Sequence, residues 1–324
     1  TCSPKKDCCS SSSTLRFEFV HDKIYEAAYA VMSNRERRLN HMRFGLALYI
    51  REIDRNNDKL LFMAINQINV AGRDSVVDGD QKHIIAGLNL NAGKRAGKRS
   101  DFQTAFSLFQ HGISYLDADC WENHYGTSIE LYESAAQAAV VVNNLEAVTS
   151  YCTVINSRAK CLEDKLGCMF AKFKALIHGN FRSEATEYFM QVMKDLGEPA
   201  LLPVNEIHGD IMAMNSVMNG LADETLLSLS TMKQKKTIFL VKMYCEFYQV
   251  MVFLDPSLLQ AIALRNMQLT VQEGLCSRSP LVFAHYAQSL SFTGYNTDES
   301  IRFARLSKIL QERMGSSECG TLFS

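Results

Sequence analysis

Residues 102–116 read FQTAFSLFQHGISYL, and this stretch decides the fold class. Its apolar residues recur every three or four positions, so a helix would gather them on one wide face: Phe102, Ala105, Phe106, Phe109, Ile113 and Leu116. A face of that width is buried only when neighbouring helices cover it. Stacked helical hairpins meet this need, because each hairpin covers the apolar face of the next one.

A helix pair of this kind recurs along the chain, with a period of about 40 residues. The predicted starts are Gln81, Glu122 and Glu163 for the first helix of each pair, and Asp101, Asn144 and Ser183 for the second. Turn signals lie between the two helices of each pair: Arg99-Ser100, Asn143-Asn144 and Gly179-Asn180. The period exceeds the 34 residues of an ordinary tetratricopeptide repeat, and the regular Trp-Leu-Gly-Tyr pattern is missing. We therefore predict an all-α, tetratricopeptide-like array of antiparallel helical hairpins, which is an α-solenoid.

Leu201-Leu202-Pro203 breaks the helical pattern, and five more helices are predicted after it, over 206–221, 236–254, 257–273, 281–292 and 298–314. The helix over 236–254 carries Met and aromatic residues on nearly every side, which is typical of a helix at the centre of a bundle. The alternative is a pocket for a small molecule, lined by the Met and aromatic side chains from Tyr244 to Phe253.

Composition indicates a folded protein. Hydrophobic residues make up 47% of the 324 positions and charged residues 21%, which excludes the class of disordered, highly charged chains. The net charge of −1 gives no whole-chain argument for binding nucleic acid or an anionic membrane. No run of 18 apolar residues is present, so the sequence predicts no membrane segment.

Ten cysteines are present, and their placement favours reduced thiols over disulfides. Cys152, Cys161, Cys168, Cys245 and Cys276 are scattered singly through helical patterns, where a free thiol behaves as a small hydrophobic group. Reduced thiols are the rule inside cells, so we expect a cytoplasmic (intracellular) protein.

Residues 17–29 read FEFVHDKIYEAAY, an aromatic pair followed by His-Asp at the start of an amphipathic helix. A short strand is predicted over 17–20. Ser33 and Glu36 have the spacing of a capping box for a second helix, and a third helix is predicted from Asp58 through Ile68.

These patterns predict five regions along the chain. Residues 1–14 form a flexible low-complexity lead, and residues 15–80 hold the short strand and the three helices that follow it. Residues 81–200 hold the tetratricopeptide-like repeats, 201–314 the distal helical repeats and 315–324 a tail.

Four blocks of the sequence resemble the helical region of STAND-class signalling ATPases of the AAA (Orc1-like) type. The first block is FEFVHDKIYEAAY with the following Arg38, Leu39, His41, Arg43 and Gly45. The second is FMAINQIN over Phe62–Asn69, the third spans Leu88–Leu116 and the fourth Met267–Leu310. The middle of the array departs from that family's pattern, since Gln137 stands where Glu is common and Asn143-Asn144-Leu145 replaces a Gly-Asn turn.

The resemblance makes residues 15–80 the end of a winged-helix module with its linker helices, a winged-helix remnant at the N-terminal end. It also implies a non-enzymatic regulatory platform that couples an ATPase switch to an output domain. Such proteins carry protein-kinase-like, GAF, histidine kinase or nucleotide cyclase domains. ATP and magnesium would belong to the parent ATPase domain, and this segment would need no cofactor. The partners implied are the neighbouring ATPase and output domains and a protein on the repeat face. The resemblance makes the first block a domain-junction motif with a structural, coupling role: Phe17, Phe19, His21, Asp22, Tyr25, Ala28 and Tyr29.

Candidate chemistry within the chain is weak, and we predict no catalytic and no metal-binding residue. Gly93 to Ser100 imitates a phosphate-binding loop, but the glycine spacing is one residue short and Arg99 replaces the required hydroxyl. The four cations Lys94, Arg95, Lys98 and Arg99 instead suit a helix C-terminus, or a patch for an acidic partner. No nucleic-acid reader motif accompanies them. His21 and Asp22 are adjacent, which places them poorly for acid–base work on one substrate.

Two further functions remain open from the sequence. One is a free-standing scaffold whose repeat groove binds peptides. The other is a small-molecule sensor that uses the pocket described above.

Overall fold

The computed structural model describes residues 3–5, 16–18, 22–55, 58–203, 205–293 and 297–315. Sixteen α-helices account for most of these residues: α1 Asp22–Val31, α2 Asn34–Arg55, α3 Asp58–Ala71, α4 Gly79–Lys98, α5 Phe102–Tyr115, α6 Cys120–Asn123, α7 Tyr125–Val141, α8 Leu145–Arg158, α9 Glu163–His178, α10 Arg182–Asp195, α11 His208–Asn219, α12 Asp223–Leu227, α13 Lys235–Leu254, α14 Leu259–Glu273, α15 Ser279–Thr293 and α16 Thr297–Gly315. Helices that follow one another in the chain pack in neighbouring pairs. The predicted all-α array of helical hairpins is confirmed.

Two short strands precede the helices. β1 (Ser3–Lys5) pairs antiparallel with β2 (Arg16–Glu18), and Pro4 lies opposite Phe17. β2 overlaps the start of the predicted strand, whose remaining residues lie outside the described part of the chain. β1 lies in the segment that was expected to be a flexible lead. It forms a strand because β2 supplies the backbone hydrogen-bond partner, which the local sequence does not reveal.

The chain divides into two compact units. Unit 1 comprises Thr1–Ala92 and His111–Asp119, and unit 2 comprises Gly93–Gln110 and Cys120–Ser324.

The packing of α2 against α3 organises unit 1. One face of α3 is fully buried, at the spacing of a helical stripe: Leu61, Ala64, Ile65, Ile68 and Ala71. Gly45 of α2 lies against this face so closely that an added Cβ atom would come within 2.7 Å of Ile68 Cγ1 and 2.9 Å of the Ala64 carbonyl oxygen. The two helices therefore cross with their backbones almost in contact.

The capping box that begins α2 is confirmed. The Ser33 backbone N–H donates to Glu36 Oε2 at 2.8 Å, and the Glu36 N–H donates to Ser33 Oγ at 3.3 Å. The Ser33 hydroxyl also donates to Glu36 Oε2 at 2.8 Å, and this bond, together with the one from the Ser33 N–H, lowers the pKa of the Glu36 carboxyl. The start of α2 is thus fixed by local sequence.

Unit 2 contains the same type of turn at each of the three positions predicted from sequence. Ser100, Asn143 and Asn180 adopt left-handed φ angles of 62°, 57° and 63°. After each of them, a backbone N–H closes the end of the preceding helix: Asp101 to the Ala96 carbonyl at 3.0 Å, Asn144 to Ala139 at 2.9 Å and Phe181 to Leu176 at 2.9 Å. This is the bond pattern of a helix ending in a left-handed residue. The recurrence confirms a repeated helix–turn–helix unit.

α13 is the central helix of unit 2. Most of its side chains are buried, including Met243, Tyr244 and Phe247, all with no exposed surface. The Phe247 ring stacks on Phe189 of α10, with ring centroids 3.7 Å apart and planes 7° from parallel. The prediction of a central helix that is apolar on nearly every side is confirmed.

Among the described residues, α13 is also long and apolar enough to span a membrane. Lys242 and Glu246 interrupt its apolar residues, so the helix contains no uninterrupted apolar run of 18 residues. Most of the helix is enclosed by protein, and a core helix meets the same criterion of length and composition.

The structure also adds two short helices that the periodicity does not predict, α6 and α12. α6 ends at Asn123, because His124 adopts φ −132° and ψ 39°, outside the helical region, before α7 begins. α12 begins at Asp223, whose carboxylate accepts a hydrogen bond from Arg302 Nε at 2.6 Å. Elements of four or five residues are too short to show a helical period in sequence.

Candidate functional site

The domain-junction motif predicted from residues 17–29 lies in β2 and α1. Phe17 pairs with Pro4 in the two-stranded sheet, while Phe19 and His21 lie outside the described residues. Asp22 is the first residue of α1, where a negative charge is favoured by the helix dipole. Tyr25 lies in α1, and its side chain is outside the described part. Ala28 is exposed and Tyr29 is half-buried.

A chain of hydrogen bonds runs from this motif through three helices. Tyr29 Oη on α1 lies 2.9 Å from His41 Nε2 on α2, and His41 Nδ1 lies 2.6 Å from Gln67 Oε1 on α3. A neutral imidazole with its proton on Nδ1 satisfies both contacts, because Nδ1–H donates to Gln67 and Nε2 accepts from the Tyr29 hydroxyl. The three side chains form a hydrogen-bonded triad that links α1, α2 and α3.

The Tyr29 ring is held on a second side. The Arg37 guanidinium lies 4.8 Å above the ring centroid, and Arg37 Nε donates to the Met32 carbonyl oxygen at 3.0 Å. The imidazole of His41 meets the ring edge-on, with centroids 6.0 Å apart. A cation over a tyrosine face is favourable, so the ring has little freedom to turn.

α3 is joined to α4 by a reciprocal amide pair. Asn69 Nδ2 donates to Asn89 Oδ1 at 2.8 Å, and Asn89 Nδ2 donates back to Asn69 Oδ1 at 3.1 Å. Asn89 is fully buried, and its amide also donates to the Ile85 carbonyl oxygen at 3.1 Å. A buried amide with these bonds holds one register between two helices, because any shift leaves it unsatisfied. Asn69 and Asn89 stand in the second and third blocks of the resemblance, although neither was selected as a site residue.

The basic segment Lys94, Arg95, Lys98 and Arg99 occupies the C-terminal end of α4, where cations suit the helix dipole. Lys94 forms an ion pair with Glu130 of α7, and Lys98 and Arg99 are exposed. Gly93 and Gly97 lie within the helix and form no open loop. A helix C-terminus presents carbonyl oxygens, whereas a phosphate loop presents N–H groups.

Among the described residues, no group of three or more His, Cys, Asp or Glu side chains has the geometry of a metal site. The thiols of Cys120, Cys152, Cys168, Cys245 and Cys276 are buried, whereas Cys161 is exposed. Cys161 was expected to behave as a small buried hydrophobic group. It is exposed because it lies in the turn between α8 and α9.

Three aromatic side chains of α6 and α7 are half-buried: Trp121, Tyr125 and Tyr132. Trp121 packs on Tyr132 with ring centroids 5.4 Å apart, and on Tyr125 edge-on at 6.0 Å. The Tyr125 hydroxyl donates to Asp164, which places its polar end toward α9. These rings join α6, α7 and α9 at the edge of the core.

The Met and aromatic residues of α13 are core residues except Phe253, which is 72% exposed. Tyr248 stacks on the imidazole of His285 with centroids 3.9 Å apart, and Tyr244 meets Phe189 edge-on at 5.5 Å. A small cavity in unit 2 has a lining that contains none of them: Ile211, Asn215, Gln260, Leu264, Tyr286, Ser289 and Leu290. The side chains proposed to line a ligand pocket are therefore occupied by packing contacts, apart from the exposed Phe253.

Sequence reasoning missed a buried ion pair between Glu198 and Arg265. Arg265 donates from Nε at 2.8 Å and from Nη2 at 3.1 Å to the two oxygens of Glu198. The Tyr244 hydroxyl donates to the same carboxylate at 3.0 Å. The two charged residues are 67 positions apart, so no local pattern could have paired them.

His285, also missed, is buried on α15 and its Nε2 lies 3.1 Å from Gln249 Nε2. Burial lowers the pKa of the imidazole to about 4. Between pH 6.5 and 4 an unfolded chain would bind a proton here that the folded chain does not. Stability therefore falls as the pH drops through this window, by about 3 kcal/mol from this one group.

His285→Phe should remove that part of the acid sensitivity. Phenylalanine can keep the stack on Tyr248, and Gln249 is exposed, so water can replace its lost bond. We expect the free energy of urea unfolding to fall by about 3 kcal/mol more in the wild type than in the variant when the pH is lowered from 7.5 to 4. Parallel loss of stability in the two proteins would show that His285 titrates normally in the fold.

No protein-family model, curated protein sequence or solved structure matches this chain.

Proposed function

We propose that this chain is a non-enzymatic helical segment of a larger ATPase signalling protein, in which unit 1 couples the ATPase switch to an output domain. The observation that carries the proposal is the hydrogen-bonded triad, Tyr29, His41 and Gln67. Its members come from two separate blocks of the family resemblance, and hydrogen bonds of 2.9 and 2.6 Å bring them together.

Three features of unit 1 suit transmission. Gly45 allows α2 to touch the backbone of α3, the triad joins α1 to both helices, and the Asn69–Asn89 pair continues to α4. Close-packed helices with satisfied buried polar groups move as units, since partial shifts leave polar groups unpaired. A displacement of α1 would therefore be passed on to α3 and α4.

α1 also offers a surface on which a neighbouring module could act. Its apolar stripe is largely uncovered, with Ile24 45% exposed and Val31 86% exposed. A differential contact with this stripe in two nucleotide states would supply the coupling free energy that such a switch needs.

The first test is the coding sequence upstream of this segment. We expect a phosphate-binding G-x-x-x-x-G-K-[ST] motif that follows a buried strand, within a few hundred codons. Its absence would remove the parent ATPase and leave the free-standing peptide-binding scaffold as the better function.

The second test uses the full-length protein and amide hydrogen exchange of α3, with ADP and with a nonhydrolysable ATP analogue. We expect exchange in α3 to differ between the two nucleotides in the wild type, and Tyr29→Phe to reduce that difference at least about fivefold, because it removes the link to His41. Tyr49→Phe is the matched control, since the described residues give the Tyr49 hydroxyl no hydrogen-bond partner. An unchanged difference in Tyr29→Phe would contradict a coupling role for the triad.

A further inference from the structure

Two buried thiols face each other across one helical hairpin of unit 2. Cys152 lies on α8 and Cys168 on α9, with 3% and 1% of their surfaces exposed. They are 16 positions apart in sequence, and the turn between the two helices brings them together. The other cysteine of this hairpin, Cys161, lies exposed in that turn.

The contacts of the two thiols are close. Cys152 Sγ donates to the backbone carbonyl oxygen of Cys168 at 3.1 Å, and Cys168 Sγ donates to the Lys165 carbonyl oxygen at 3.2 Å. Because the Cys152 sulfur already contacts the Cys168 backbone, the first movement that an S–S bond requires is rotation of the Cys168 side chain away from the Lys165 carbonyl.

We propose that Cys152 and Cys168 form a reversible disulfide that locks α8 to α9 when the protein meets a peroxide. This inference is independent of the proposed coupling function, because it concerns unit 2 and needs no ATPase.

The chemistry balances with peroxide as the oxidant. A thiolate attacks one peroxide oxygen, the O–O bond breaks, and the products are a sulfenic acid and one water. The second thiol then displaces the sulfenic oxygen as a second water, which forms the S–S bond. Overall, two thiols lose two electrons and two protons, and hydrogen peroxide is reduced to two waters.

The electrostatics of the pair favour one order of attack. The interaction with Cys168 lowers the pKa of the Cys152 thiol, whereas the interaction with Cys152, together with burial, raises the pKa of the Cys168 thiol. Since the thiolate is the nucleophile, Cys152 would react with peroxide first and Cys168 would resolve the sulfenic acid.

A disulfide here would close a loop of modest length between two helices that are already packed. Closure of a loop of this size restricts the unfolded chain, and we expect the melting temperature to rise by about 5 °C in the oxidised protein. Dithiothreitol should reverse the rise.

The test treats the folded, reduced protein with hydrogen peroxide and maps disulfides by mass spectrometry of peptides after the remaining thiols are alkylated. We expect a peptide cross-linked through Cys152 and Cys168, together with the rise in melting temperature. Cys161→Ser is the matched control and should retain both. Cys152→Ser should lose both, and Cys168→Ala serves the same purpose if that variant does not fold.

Two results would overturn the proposal. One is oxidation of Cys161 in the folded protein while Cys152 and Cys168 stay reduced. The other is a Cys152–Cys168 cross-link that forms only in denaturant, which would show that the native packing prevents it.

Discussion

Gly274→Ala is expected to destabilise unit 2 by about 4 kcal/mol. Gly274 follows α14 and has φ 106° and ψ −169°, a combination that residues with a Cβ atom rarely adopt. An added Cβ atom would lie 2.0 Å from the Ser230 carbonyl oxygen and 2.9 Å from its carbon, both of which belong to the backbone. Conformational strain and the clash therefore act together.

The surrounding backbone cannot move away from Gly274 without losing other bonds. The Leu275 N–H donates to the same Ser230 carbonyl at 2.7 Å, and the Met232 N–H donates to the Leu275 carbonyl at 2.8 Å. Met232 and Leu275 are both buried, so a shift would also open the core. Each loss costs about 1 kcal/mol or more, which is why we expect little relaxation.

Urea unfolding followed by circular dichroism measures this effect. Gly126→Ala is the matched control, because Gly126 lies in α7 with no atom near its would-be Cβ, and alanine there should be neutral or stabilising by up to about 1 kcal/mol. A Gly274→Ala protein within 1 kcal/mol of wild type would show that the segment repacks, contrary to our expectation.

Arg265→Met is expected to destabilise unit 2 by about 3–5 kcal/mol, because it removes the cation that neutralises Glu198. The Glu198 side chain is only 7% exposed, so water cannot replace the two bonds that Arg265 donates. The variant retains only the Tyr244 hydroxyl as a donor to this carboxylate, among the contacts that the described residues make.

A double variant separates the buried charge from lost packing. Glu198→Met combined with Arg265→Met removes both charges and should recover most of the lost stability, since a buried ion pair is often replaced by apolar groups at little cost. Arg278→Met is the control: Arg278 is 3.7 Å from Glu246 and more exposed, so we expect a loss below about 1 kcal/mol. If the double variant is as unstable as Arg265→Met, the methylene packing of Arg265 matters more than its charge.

Local sequence predicted much of the fold. The six helix starts of the repeated pairs fall within about three residues of the observed ones, because caps and turn residues act over short distances. Ser33 and Glu36 form their capping box from neighbouring positions, and Asn143 and Asn180 adopt the left-handed conformation that asparagine tolerates. α13 was recognised as central because its apolar residues cover nearly every side.

The candidate site was predicted only in part. Tyr29 was chosen within the junction motif, but its bond to His41 spans 12 positions and the bond from His41 to Gln67 spans 26. His41 and Gln67 lie in the blocks that carry the resemblance but were not predicted as site residues. Helical periodicity indicates which face of a helix a residue occupies, but not which residue of another helix it contacts.

The sequence by itself determined the helices, their caps and the repeated turn, since each depends on backbone preferences and side chains a few positions apart. Only the tertiary structure decided that Glu198 pairs with Arg265, that Gly274 packs against the Ser230 carbonyl group, and that the Cys152 thiol contacts the Cys168 backbone. These contacts depend on how whole helices cross and in which register. That register is set by the sum of many weak packing contacts, which no short segment of sequence contains.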